Sequence, residues 1–458
     1  ARLSNEQAYK TLCAREFKSK DFSDYALAQL FLHLDCDSSV TVGDTTYRYQ
    51  GKLWAVDYKQ SKLQVTLGDT LRGFYYDRRR LNATDERSDS EEVAENKFMS
   101  DLFKKVTSAK GLRDILTLLK PMIHRDDILF DVDPKHDNHI SFMNGVYDLD
   151  AKEGVNPMRD HVKEDYYTVC CPWAWTDKGD FDEVMLLLRK IQPDAEQHNL
   201  QMTWLASCLR ARNTGFFKIN YGLKANNGKS TEMSMFRHTL PCYSAEVPNT
   251  LFEKGNQKVH KFMHGLLSKP VRAAFMEEMK KEKQDNDFLK RFVDGGEMEC
   301  EQLFGTTMKG RLTAKLSVST NHQMRTDVEA GIMRRGVQQK YTSRFLAKGD
   351  PEINPKEHVY ESAGEHFIDK LFEDDRYKRQ FFAYLLTFDV NELPTLLKAG
   401  QKDFAEMIQE SDPIHQLIDE YVEVTKEKMD FIVTDRVKSF YSGPDGLFEE
   451  DSSNEVPQ

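Results

Sequence analysis

The sequence predicts an α/β fold centred on a phosphate-binding strand-loop-helix turn, with α-rich sequence before it and helical sequence after it. Three stretches carry that expectation. Residues 216–221 form an apolar, β-prone run, and residues 222–231, GLKANNGKST, turn and open a helix. Residues 271–276 are apolar except for Arg272 and end in two carboxylates, Glu277 and Glu278, as a buried strand does when it delivers acids to a sheet edge. In residues 310–321, Leu312, Ala314, Leu316 and Val318 alternate with polar residues, the period of a strand that ends in Thr320 and Asn321.

The first stretch has the chemistry of an anion site. A glycine-bearing turn lets backbone N–H groups converge on one point, and the helix that follows adds unpaired N–H groups and its positive dipole end. Gly222, Asn227, Gly228, Lys229, Ser230 and Thr231 are the candidate nucleotide-binding residues. Lys229 suits the β and γ phosphates, and the Ser230 hydroxyl suits Mg²⁺. The other reading of these residues is a plain strand-to-helix turn with an incidental Gly-Lys-Ser. Leu223 stands where the usual motif has glycine, and Gly222 lies one residue upstream of that place.

Phosphoryl transfer to water needs one carboxylate for the metal and another for the water. We assign Glu277 to Mg²⁺ and Glu278 to the water, two roles that could be exchanged; the competing reading starts a solvated helix, EEMKKEKQD, at these acids. Asn321, at a strand tip, can bond both a γ-phosphate and the attacking water, although turns favour Asn in any case. Residues 331–336 read GIMRRG, and a planar guanidinium matches the charge of a phosphoryl group in flight. Arg335 is the first candidate for that donor and Arg334 the second, against a salt-bridged surface pair.

This order of motifs resembles the superfamily 3 helicases of the poxvirus and large-DNA-virus primase-helicase type, also found in phage and plasmid replication proteins. GLKANNGKST, VRAAFMEEM, FLKRFVDGGEMECEQLFG, KLSVSTN and GIMRRG carry the resemblance. FMNGVYDLD at residues 142–150, with Pro157 and Tyr166-Tyr167-Thr168, looks like the end of the helicase-associated domain that precedes the motor, so the similarity runs over residues 90–440. One departure is that Glu301 and Gln302 precede Leu303-Phe304, where the family usually has an arginine.

The resemblance implies an AAA+-like P-loop ATPase core, an α-rich N-terminal helicase-associated domain and a C-terminal helical or winged-helix-like region. It implies ATP and Mg²⁺ as cofactors, a homo-hexamer, single-stranded and forked DNA as partners, and an associated primase or polymerase. Lys229, Ser230, Glu277, Glu278 and Asn321 would face Arg335 of the next copy, and movement would run 3′ to 5′. It also implies a β-hairpin reaching into the ring, here over residues 299–320 with its turn near 305–310. Lys309, Arg311 and Lys315 would hold DNA phosphates on or near its tip, or would simply keep an exposed hairpin soluble. The competing functions are an origin-melting or loading ATPase, and a DNA-binding scaffold with a degenerate phosphate loop.

Composition bounds these expectations. At 458 residues the chain has room for two or three domains, and 39% apolar with 30% charged residues suits a soluble, intracellular, globular protein. The net charge of −11 argues against a wholly basic surface but permits cations along a channel. No apolar stretch approaches the roughly 20 residues that span a bilayer. Seven cysteines without a CxxC pair fit reduced thiols and no metal beyond Mg²⁺. The chain begins at Ala1 and not at methionine, as a portion of something longer would.

The expected units are a mixed α/β region over 1–95, an α-rich associated domain over 96–200, the core over 201–350, and a helical region with an acidic tail over 351–458. Residues 25–34, 95–120 and 181–212 have helical spacing; 45–49, 53–58, 63–67 and 341–346 are β-prone; 85–95 carry six acids and suit a connector. Residues 365–388, 404–422 and 426–441 extend the helical pattern. Two other clusters stand out. Arg72, Phe74, Tyr75, Tyr76 and Arg78 to Arg80 interleave rings and cations as single-strand binders do, or else bury their rings in a helix. Asp131-Val132-Asp133 mimics a primase acid pair but lacks the other residues such a site needs.

Overall fold

The computed structural model describes residues 23–35, 38–82, 89–176, 180–222, 224–256, 258–278, 285–301, 307–321 and 330–411. The first unit packs four helices: α1 (Asp24–Asp35), α2 (Ser61–Asn82), α3 (Asp89–Thr107) and α4 (Ala109–Met122). They share one apolar core running from Leu27 and Phe31 through Leu63, Leu67 and Leu71 to Leu102, Leu119 and Ile123. The β-prone run at 63–67 is therefore helical, because Leu63, Leu67 and Leu71 recur every four residues and bury one stripe. Asp57 caps α2 by accepting from the amides of Lys62 and Leu63 at 3.0 and 2.6 Å. A boundary at residue 95 would cut α3 inside this core, and α3 already covers much of the acidic stretch expected as a connector. Phe74 and Tyr75 are buried in the same core, so these two rings of the aromatic-cation cluster pack a helix face, with Tyr76 exposed.

Two small sheets join this bundle to the rest. The strands β1 (Ser39–Val42), β2 (Thr45–Tyr49) and β3 (Trp54–Val56) form one antiparallel sheet, and β4 (His139–Phe142), β5 (Gly145–Asp148) and β6 (Met158–Arg159) form the other. FMNGVYDLD is thus a tight hairpin, with Phe142 paired to Gly145. The stretch expected to be α-rich is mixed. Asp131 is structural, its carboxylate accepting from Thr168 and Val169, while Asp133 accepts from the Lys135 amide.

The helices α5 (Asp182–Ile191) and α6 (Ala195–Ser207) lead into a five-stranded, all-parallel sheet. Its strands in chain order are β7 (Phe217–Tyr221), β8 (Ser244–Val247), β9 (Ala273–Glu277), β12 (Lys315–Thr320) and β13 (Gly336–Lys340). Across the sheet the order is β13-β7-β12-β9-β8. Between them lie α7 (Lys229–Thr239), α8 (Val259–Leu267), α9 (Asn286–Asp294), a hairpin of β10 (Gly296–Glu301) and β11 (Thr307–Leu312), and α10 (Ala330–Met333). Strands buried on both faces need near-continuous burial, and β12 is buried at every position.

Phe217, Ile219, Ala274 and Met276 enter one core with α8, α9 and Phe404, whereas Ala273 and Phe275 enter the other with α6, α7 and Phe382. The edge strand β13 was hidden in the sequence, and residues 344–346 form instead β14 (Arg344–Leu346), paired with β15 (Val359–Glu361) outside the main sheet. The amphipathic run at 365–388 is two helices, α11 (Glu365–Glu373) and α12 (Asp375–Leu385), separated where Asp374 caps the second. The last described helix, α13 (Leu393–Ser411), packs on β13 with Phe404 against Gly336, so the sheet's core extends past residue 350. The later helical pattern and the tail lie outside the described residues. Among the described residues no helix is long and apolar enough to cross a membrane.

Candidate active site

All five strands run the same way, so their carboxyl ends share one edge, the usual ligand edge of a parallel sheet. Register places Tyr221 beside Thr320, and Ser319 beside Glu277. Gly222, Asn321, Glu277 and Glu278 therefore emerge together.

Lys229, the first residue of α7, is 6% exposed, and its ammonium donates to Asn321 Oδ1 at 2.7 Å and to the Gly222 carbonyl at 3.4 Å. Asn321 in turn donates to Glu278 Oε1 at 3.5 Å. Burial pushes the Lys229 ammonium down to about 8, partly opposed by the Glu278 carboxylate. Glu277 and Glu278 are both exposed, and Glu278 has a left-handed φ of 48° while its amide donates to the Ser319 carbonyl at 2.8 Å.

The loop is closed by its own side chains. Asn227 donates to the Lys224 carbonyl at 2.8 Å and accepts from the Lys229 amide at 3.4 Å. A Cβ at Gly222 would lie 2.2 Å from Asn227 Nδ2, and one at Gly228, where φ is 85°, would lie 2.7 Å from Ile191 Cγ1. Both positions are therefore restricted to glycine. Ser230 is exposed and Thr231 half-buried in the first turn of α7; Leu223 lies outside the described residues. Among the described residues no cluster of three or more His, Cys, Asp or Glu could cage a metal. The available oxygens, Ser230 and Glu277, fit Mg²⁺, which takes few protein ligands and completes its shell with phosphate and water.

The arginine pair stands at the opposite edge. The Arg335 carbonyl accepts from the Phe217 amide, where β7 begins, at 3.0 Å. Five residues of strand, roughly 16 Å, separate it from its own phosphate loop. Arg335 donates to both Asp294 oxygens, at 2.8 and 2.7 Å, and to the Gly331 carbonyl at 2.9 Å. That pairing holds the Asp294 carboxyl below its ordinary value. Arg334 is exposed.

The three candidate DNA cations separate. Lys309 is exposed on β11 opposite Glu299, with Nζ 2.7 Å from its carboxylate. Lys309 stands along one arm, two residues in from the last described pair, Glu301 and Thr307; the expected turn at 302–306 lies outside the described residues. Arg311 pairs with both oxygens of Asp137 at the hairpin's base. Lys315 does not belong to the hairpin and is 2% exposed. Its ammonium donates to the carbonyls of Ser207 and Arg210 at 3.0 and 2.9 Å, capping the end of α6. In this fold Lys315 is an internal cap and cannot touch DNA. Lys218, Glu232 and Tyr341 form a buried polar group beneath the loop that the motifs do not mark; a lysine in the middle of the strand FKINY was the available signal.

The fold and this edge define a mixed α/β protein whose parallel sheet gathers a buried lysine, an amide and two acids at one edge. Residues 38–210 match the model of the D5 N terminal like family, a match that ends just before β7. Over 172 residues the chain is 30% identical to "Putative helicase L207/L206" of Acanthamoeba polyphaga mimivirus, which covers 36% of this chain and 17% of that relative. Both matches agree with the resemblance to the viral primase-helicase type. The chain spans less than a fifth of that curated relative. Two apo structures of the NrS-1 C terminal region are also similar, each at 10% identity. One has a TM-score of 0.47 over 91% of this chain and 85% of that one; the other has 0.46 over 88% and 84%.

Proposed function

We propose that this chain is the motor of an ATP-driven DNA helicase, with an AAA+-like core built on the five-stranded sheet and ATP bound at the seams of a six-membered ring. The observation that carries this reading is the run of contacts from Lys229 through Asn321 to Glu278, at the mouth of a loop with no room for side chains at Gly222 and Gly228. On this reading the loop amides and Lys229 take the β and γ phosphates. Ser230 and Glu277 would hold Mg²⁺, which would supply charge neutralisation there. Glu278 accepts a proton from the attacking water, whose oxygen bonds to the γ-phosphorus as the bond to the ADP oxygen breaks. Asn321, which bridges Lys229 and Glu278 in this structure, would turn to the γ-phosphate and report its loss.

The position of the arginine pair supports a seam: Arg334 and Arg335 stand too far from their own loop to serve it, but a neighbouring copy's loop could meet them. Arg334 is the exposed member, and Arg335 would have to leave Asp294. The hairpin with Lys309 would carry the motion to a DNA strand. Steady-state ATP hydrolysis with and without single-stranded DNA, together with strand displacement on a forked duplex, tests the proposal. DNA-stimulated turnover that releases a strand and is lost in Lys229→Ala supports it. Turnover without strand release would make the protein a loading or melting ATPase, and no turnover would end the motor reading.

A further inference from the structure

The face of the sheet beneath α7 carries charged side chains that phosphate chemistry alone does not require. Lys218 and Asn220 point towards α7, since their neighbours Phe217 and Ile219 enter the opposite core. Lys218 has no exposed surface, and its ammonium lies 5.8 Å from the Trp204 ring centroid without a hydrogen-bond partner among the described residues. Glu232 sits one turn after Lys229 and is equally buried. Its Oε2 accepts from the Tyr341 hydroxyl at 2.6 Å, whereas Oε1 has no partner among the described residues. Burial drives Lys218 down and Glu232 up towards their neutral forms, and the attraction between them opposes both shifts.

Tyr341 links this pair to the loop. Its amide donates to the carbonyl of Tyr221, where β7 ends, at 2.8 Å. Four residues on, the Phe345 amide donates to the carbonyl of Asn226 inside the loop, also at 2.8 Å. Residues 341–345 therefore strap both limbs of the loop. The Tyr341–Glu232 bond fastens that strap to the helix bearing Lys229.

We propose that Glu232 and Lys218 are positioning residues for the triphosphate: Glu232 holds Tyr341, Lys218 is buried beneath the same helix as its opposite charge, and through Tyr341 the strap sets the width of the phosphate loop. This rests on the nucleotide-binding reading above. Removing one charge strands the other in the interior, while removing both leaves no charge to accommodate. The pair should thus behave as a unit.

The test uses the full chain and mant-ATP with Mg²⁺, read by fluorescence titration, with urea unfolding alongside. Glu232→Gln keeps the shape and an acceptor for Tyr341, and Tyr341→Phe removes one hydroxyl; both variants are conservative enough to fold. Glu232→Gln, Lys218→Met and Tyr341→Phe should each weaken mant-ATP binding about tenfold, and Lys218→Met/Glu232→Gln should return within about threefold of wild type. Affinities that stay unchanged while only stability falls, or a double variant as weak as the product of the singles, overturn the proposal. A wild type that binds no mant-ATP would instead end the nucleotide reading. The strap is then judged by amide exchange over residues 222–233, which the single variants must accelerate and the double variant must not, or the proposal fails.

Discussion

The ammonium of Lys229 is held 2.7 Å from Oδ1 of Asn321, so the loop lysine and the strand-tip amide form one unit before any phosphate arrives. Lys229→Ala should remove the charge that meets the triphosphate and lower ATP turnover at least about a hundredfold. Asn321→Ala should act differently, lowering kcat about tenfold or more while KM changes little, because its amide serves the reacting end. Steady-state kinetics on both variants decides this: an Asn321→Ala defect confined to KM would remove the amide from the reacting end.

The depressed Lys229 ammonium predicts a pH dependence of binding. The protonated form is the one that attracts phosphate, and burial places its titration near 8. Affinity for mant-ATP should be highest below that value and fall about tenfold between pH 7 and 9. In Lys229→Ala that slope should vanish. A wild-type profile flat across this window would mean that the ammonium stays charged and that its burial is offset elsewhere.

Asp294 gives the arginine pair its own test. Arg335 is clamped by Asp294, whereas Arg334 is exposed, so Arg334→Ala should lower kcat about a thousandfold while leaving mant-ATP affinity within about twofold. If the donor serves a neighbouring copy, mixing Arg334→Ala with Lys229→Ala protein should regenerate some active seams and restore part of the lost turnover. No recovery on mixing, with mixed assemblies verified by mass, would place the arginines outside the seam.

How far the sequence disclosed this arrangement depended on whether a residue's chemistry matched its position. The loop at 222–231 was legible because its glycines, Gly222 and Gly228, stand where no side chain fits, and β12 because its apolar residues recur at every second position. The edge strand β13 was not, because Gln338 and Gln339 look like surface residues. Gln338 is buried against Met407, and Gln339 donates to the Gln197 carbonyl at 2.9 Å. Lys315 misled for the same reason: its charge suggested a DNA contact, but the end of α6 needed a donor that only the fold brings near. Likewise Leu63 and Leu67 read as β-prone until Leu71 completes their helical stripe in the first core.

The contrast between Lys309 and Lys315 can be measured. Lys309→Ala removes an exposed cation paired with Glu299 and should reduce DNA-stimulated turnover while leaving basal turnover within about twofold. Lys315→Met should instead lower unfolding free energy by about 1–3 kcal/mol, since it strips the donor from two buried carbonyls. Urea unfolding and DNA-stimulated kinetics on the two variants should show opposite patterns. A stable Lys315→Met protein with a selective DNA defect would return Lys315 to the DNA contacts.

Gly336 opens β13 directly under α13, and a Cβ there would lie 2.0 Å from Phe404 Cε1, far inside van der Waals contact. Phe404 is fully buried between β13 and the second core, so it cannot swing into solvent to make room. Gly336→Ala should therefore push α13 off the sheet and cost about 1–3 kcal/mol in urea unfolding, as overpacked cores do. Phe404→Leu alone should also destabilise, by leaving a partial cavity. Combined, the extra methyl and the smaller side chain compensate, so the double variant should be more stable than the sum of the two losses implies. Additive losses would mean that the Gly336 backbone, and not the Phe404 ring, sets the cost. The same variants bear on the arginine pair, because Arg334 and Arg335 immediately precede Gly336 and the Arg334 carbonyl accepts from the Gln401 side chain of α13 at 2.5 Å. Displacing α13 should thus impair the donor seam as well, and kcat should fall in Gly336→Ala and recover in the double variant.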